Sequence, residues 1–114
     1  MSSFRKDLID FALDQQTERA IQEQLALLAA EPSNPRPYYQ LALLYRMQWK
    51  PDEALALLLE AVRLNPGFTA AHVALAEIYA VRNEPAAARH HAEIAAAHGD
   101  PQARDMLKRH GLLM

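Results

Sequence analysis

NPRPYYQLALLYRMQWKPDEALALLLEAVRLNP, residues 34–66, is the stretch on which the fold turns. A helix carrying Tyr38, Leu41, Ala42 and Tyr45 runs from near Pro37 to about Gln48 and breaks around Trp49-Lys50. A second helix restarts with Pro51 in its first turn, where a missing amide costs nothing, followed by Asp52 and Glu53 at the positive end of the helix dipole. It stops at Asn65-Pro66-Gly67. Shifting the chain by 34 residues lays a copy on top of this stretch: Leu41 meets Leu75, Ala42 Ala76, Tyr45 Tyr79, Pro51 Pro85, Ala54 Ala88 and Ala61 Ala95. A fixed period of this size means stacked two-helix units.

Outward from that core, the copy predicts a helix from about Thr69 to Arg82, a turn at Asn83-Glu84 and a helix from Pro85 to about His98. Gly99 suits a left-handed terminating residue. Asp100 and Pro101 then open a last helix with Ala103, Met106, Leu107 and His110 on one face and Arg104, Asp105, Lys108 and Arg109 on the other. Upstream, Glu31 to Pro37 holds three prolines and reads as a connection. Residues 4–30 are helical in pattern, with Phe4, Leu8 and Phe11 and then Ile21, Leu25 and Leu28 at three- and four-residue steps. Polar Asp14-Gln15-Gln16-Thr17 lies between them, and Thr17 can cap a new helix. Two helices joined by a turn are expected, with one long bent helix as the alternative.

The 114 residues suffice for one packed core, and the chain has no cysteine for a disulfide or a thiolate metal site. Apolar runs such as Ala54 to Leu59 are far too short to cross a bilayer. The start, MSSFRKD, lacks the apolar core of a secretory signal, so a cytoplasmic location and no membrane partner are expected. Net charge is −2 with the signs interspersed, which argues against nucleic acid as a partner. No glycine-rich phosphate loop or nucleophile elbow occurs, and Ser2, Ser3 and Ser33 lie in caps or connections, so no enzyme and no cofactor are expected.

The spacing resembles the tetratricopeptide repeat, whose pattern is filled by Tyr38, Leu41, Ala42, Tyr45, Ala54, Leu58, Ala61 and Pro66. The following copy departs from it at His72, Ala92 and Asp100. Shifted backward, Phe4, Phe11, Ala20 and Pro32 agree whereas Asp7, Leu8, Gln24 and Leu27 do not. The resemblance implies an all-α fold of antiparallel helical hairpins stacked as a short right-handed solenoid. Residues 1–114 then form a single domain, with 1–34 a degenerate repeat or N-terminal cap, 35–68 and 69–100 repeats, and 101–112 a capping helix.

It also implies a concave surface lined by the first helix of each repeat, acting as a protein-binding scaffold for a peptide or helix of another protein. If Tyr38, Leu41, Ala42 and Tyr45 face the partner helix, the groove face carries Arg36, Tyr39, Gln40, Leu43, Arg46 and Met47. One repeat on it carries Ala70, Val73, Ala74, Glu77, Ala80 and Val81. Both helices are apolar nearly all round, so something should cover them. The covers are a partner peptide, a second copy making a homo-oligomer through the groove or the N-terminal hairpin, or the chain's own hairpin or Leu112-Leu113-Met114 tail.

Arg46 and Glu77 should lie a turn apart on neighbouring groove helices. The chaperone-binding branch of the family clamps a carboxylate with Lys, Asn and Arg; this chain has Arg5, Ile9, Gln40, Ala70 and Ala74 there, and the clamp is effectively absent. Trp49 occupies a turn position where the family often has glycine, either anchoring an interface or stapling the helix junction. Histidines 90, 91, 98 and 110 read as solvated outer-face groups rather than metal ligands, and His72 as a packed substitute for an aromatic.

Overall fold

A computed structural model describes residues 2–99, 101–109 and 111. Asp100, His110 and the Leu112-Leu113-Met114 tail lie outside the described residues, as do the side chains of Phe4, Met106 and Leu107. Six helices follow one another among the described residues, and no strand does: α1 (Ser2–Ala30), α2 (Pro35–Met47), α3 (Pro51–Leu64), α4 (Thr69–Val81), α5 (Pro85–Ala97) and α6 (Pro101–Arg109). Each packs on its neighbours in sequence, giving the stacked all-α array. The helix expected near Pro37 begins at Pro35, because Asn34 caps it by accepting a hydrogen bond from the Arg36 amide at 3.1 Å.

The α2–α3 and α4–α5 hairpins turn in the same way. Trp49 and Asn83, 34 positions apart, both take the left-handed conformation, with φ of 60° and 59°. The Lys50 amide donates to the Tyr45 carbonyl and the Glu84 amide to the Tyr79 carbonyl, each at 2.9 Å, and the Trp49 and Asn83 amides reach back to Arg46 and Ala80. This is the Schellman arrangement, which satisfies the last carbonyls of a helix. Pro51 and Pro85 then start the next helix and hold Lys50 and Glu84 out of the helical region, at φ −116° and −115°.

Close approach within each hairpin rests on methyl groups. Ala42, Ala54 and Ala61 are fully buried in one cluster with Leu58, and Ala76, Ala88 and Ala92 are fully buried in the second hairpin. Ala76→Leu is therefore expected to destabilise the domain by about 1–3 kcal/mol, because four-carbon bulk must force two helices apart. An unchanged melting curve would count against this helix pairing.

Position 38 shows how the weaker copy keeps the pattern. Tyr38 Oη donates to the Pro32 carbonyl at 2.8 Å, and His72, one period later and 4% exposed, makes the equivalent 2.8 Å bond from Nε2 to the Pro66 carbonyl. A histidine replaces an aromatic ring and preserves its tether to the preceding loop.

The N-terminal segment differs from expectation. The turn at Asp14–Thr17 is absent, and α1 is one continuous helix of 29 residues. Thr17, expected to cap a new helix, instead bonds through its hydroxyl to the Leu13 carbonyl at 2.9 Å within the same helix. The reason lies at the place of Pro51 and Pro85: the residue there is Thr17, and without a proline nothing forces its predecessor out of the helix.

Trp49 does not staple the helix junction, for it is 90% exposed. A bulky side chain at positive φ costs backbone energy without packing in return. Trp49→Gly is expected to raise stability by up to about 1 kcal/mol. Because Trp49 is the only tryptophan, circular dichroism rather than fluorescence is the appropriate readout.

Candidate functional site

Helix α3 packs against both α2 and α4, and residues of α2 and α4 together line a groove. Tyr39, Leu43 and Arg46 of α2 and Ala70, Val73, Ala74 and Glu77 of α4 line a hollow of about 260 Å³. Tyr39, Leu43 and Val73 are each half-buried, offering apolar surface without being sealed in. A second hollow of about 350 Å³ adjoins it through Tyr39 and Ala70 and adds Pro35, Arg36, Gln40, Asn65 and Phe68.

Across the groove, Arg46 Nη2 lies 3.4 Å from Glu77 Oε2, bridging the two helices. The pair is part-exposed, so its contribution to folding is about 0–1 kcal/mol. Its geometric effect is larger: it places a donor fork and an acceptor beside the apolar wall.

Of the residues expected on the groove face, the structure brings Tyr39, Leu43, Arg46, Val73 and Glu77 around one hollow and sets Arg36 and Gln40 around its neighbour. Met47 is exposed and lines neither. Val81, 83% exposed, lies apart from Leu43 and Val73, in a separate hollow of about 300 Å³ at the turn end with Trp49, Pro51, Ile78 and Arg82. Only Arg46 belongs to both.

Sequence reasoning missed Phe68, whose ring sits 5.1 Å from that of Tyr39 at 46° and walls the groove from the loop before α4. A helix-face projection cannot find it, since it precedes the helix. One signal was at hand: an aromatic residue directly ahead of a helix that starts with Thr69-Ala70 has the neighbouring hairpin as its nearest apolar surface.

On the opposite side of α4 the expectation of solvated histidines fails for His91. It is half-buried, stacks on Tyr79 at 5.6 Å and 7°, and sets its Nδ1 3.0 Å from His72 Nδ1. With His72 Nε2 donating to the Pro66 carbonyl, His72 Nδ1 is the acceptor and His91 Nδ1 carries the hydrogen. Burial pushes His91 down to about 4, with His72 and His90 acting in the same direction. His72 is lowered too, first by burial, with its bond to the Pro66 carbonyl opposing and His98 and His90 adding to the drop. Among the described residues no three His, Asp or Glu side chains converge as metal ligands.

The lowered histidines set a pH dependence. Unfolded histidine titrates near about 6.5, so below that pH the unfolded chain takes up protons that the folded one refuses. Stability is full above the window and falls as pH drops through it towards about 4. The urea midpoint is expected to be lower at about pH 5 than at about pH 7.5. His91→Gln keeps a donor for His72 and should flatten the difference.

No helix among the described residues is long and apolar enough to cross a membrane. The tetratricopeptide repeat family model matches residues 35–68, which span the whole α2–α3 hairpin. No curated protein matches the chain.

Proposed function

Since residues 35–68 match the tetratricopeptide repeat family model, a repeat that suggests a protein-interaction module, we propose that the chain is a non-catalytic binding module holding a peptide or helix of a partner protein. The occupied surface is the groove between α2 and α4. One observation carries this reading: Tyr39, Leu43 and Val73 are gathered around a hollow of about 260 Å³ beside the Arg46–Glu77 pair, and no described residue of α1 lines it.

Such a wall suits a segment with an apolar side chain to fill the hollow and backbone or charged groups to meet Arg46 and Glu77. Gln40 and Arg36, on the adjoining hollow, extend the contact towards Phe68. With two groove helices contributing, the contact falls near or below about 1,200 Å², the size of transient encounters. Self-association, the competing reading, draws its support from α1 rather than from the groove.

The test is a titration of isotope-labelled protein with a segment of a captured partner. Resonance shifts centred on Tyr39, Leu43 and Val73 are expected. Shifts confined to α5 and α6 would refute the groove as the site.

A further inference from the structure

The stack of two hairpins leaves half of α1 without a partner. A helix of 29 residues is about 43 Å long and α2, with 13, only about 20 Å. Burial follows that mismatch: Ile21, in the inner half, is buried, whereas every side chain from Arg5 to Gln16 is exposed. Leu8 at 55% and Phe11 at 62% stand in solvent, together with Ile9 and Leu13. A helical projection of this length is marginal in water by itself, and an apolar cluster on it marks an interaction surface.

We propose that this surface is filled by a second copy of the chain, the two α1 helices pairing antiparallel about a dyad near Gln16, the outer half of each on the inner half of the other. Three observations select a second copy over an unrelated partner. First, α1 carries the register of a repeat: Phe11, Ala20 and Pro32 fall 34 residues before Tyr45, Ala54 and Pro66. Its two halves therefore correspond to the two helices of a hairpin, which pack on each other in α2–α3. A continuous helix cannot fold on itself, and exchange between copies supplies the same contact.

Second, the inner half presents apolar surface that α2 does not cover, at Leu25. A two-fold arrangement uses that surface twice, doubling the area buried. Third, the charges match in the antiparallel sense. Arg5 and Lys6 arrive beside the region of Glu23 and Glu31, and Arg19 beside Asp10 and Asp14, where it offsets the like pair of Asp14 and Glu18; a parallel pair would set every charge against its own copy.

Exchange also explains why the hairpin stays open within one chain. Leu8 stands at the place of Ala42, a position fully buried in the closed hairpin. A short turn holds two helix ends at fixed spacing and leaves no room for the larger side chain. Two helices from separate chains have no turn between them and can separate to admit it.

Sedimentation equilibrium of the full chain across the micromolar range should give twice 12.8 kDa. Leu8→Asp combined with Phe11→Asp should return the mass to 12.8 kDa with the helical spectrum kept. Thr17→Pro installs the proline of the other two hairpins, breaks α1 where the two copies cross, and should do the same without altering an apolar residue. Because the chain has no cysteine of its own, a mixture of Leu8→Cys and Leu25→Cys chains should be joined into heterodimers by a short bifunctional thiol reagent. A monomer at every concentration, as a self-closed hairpin or a surface kept for another protein would give, overturns the proposal. So does a dimer that survives the aspartates or the proline, or a mixture that fails to cross-link.

Discussion

Leu58→Ala is expected to lower the unfolding free energy by about 2–5 kcal/mol, read as a fall of roughly 10–20 °C in Tm. Leu58 is among the largest fully buried side chains, and the cluster around it includes Ala42, Ala54, Ala61 and Ala71. Alanine has no rotamer to swing into a gap, and its methyl moves only if the helix moves. The cavity therefore stays open, which places the cost towards the upper part of that range. Thermal and urea unfolding followed by circular dichroism measure it. A loss below about 1 kcal/mol would mean that α2, α3 and α4 slide together to fill the space, and that the close approach attributed to their alanines is soft.

Leu43→Asp is expected to weaken binding of the partner segment by at least about tenfold, equivalent to about 1.4 kcal/mol. Leu43 is only half-buried, so the substitution disturbs little of the core, yet it sets a carboxylate in the wall of the hollow shared with Tyr39, Val73 and Glu77. An apolar side chain entering there would have to strip water from that charge. Glu77 already occupies the far wall, so the two like charges further oppose each other. The measurement is a pull-down with the native and substituted chains, followed by calorimetric titration of the captured segment. Unchanged affinity with an unchanged melting curve would move the site away from the α2–α4 groove.

The two predictions read separate layers of the molecule. Leu58 lies where the helices of a hairpin meet, and Leu43 on the face they leave open. A chain that loses binding but not stability, and one that loses stability first, are therefore distinguishable, which is what a binding surface laid over an independently stable array should give.

Much of the array was legible because its determinants act over a few residues. Prolines 51 and 85 end and restart helices through a steric effect on the preceding residue, and Asn34 caps through its own neighbour two positions on. The alanines at 42, 54, 76 and 88 announce close contact because the same small residue returns after 34 positions. The groove was legible in part for the same reason. Once one face of α2 is assigned to α3, helical geometry places Tyr39, Leu43 and Arg46 on the other.

The rest depended on distances that no local rule contains. Whether residues 2–30 bend at Thr17 was settled by the balance between an unbroken hydrogen-bond ladder and a turn lacking its proline, and the ladder won. His72 and His91 are 19 positions apart and meet only because α5 lies back along α4, which removes His91 from solvent and lowers its proton affinity. Phe68 reaches Tyr39, and Val81 turns towards Trp49 instead of Leu43, through the way successive hairpins stack. The amino-acid sequence by itself thus determined helices α2 to α5, the turns inside their two hairpins and the residues that touch within each pair, since backbone sterics and helical period are properties of neighbouring residues. Tertiary structure alone decided which faces of different pairs meet and which half of α1 is left bare, since those follow from helix lengths and crossing geometry that only the packed chain possesses.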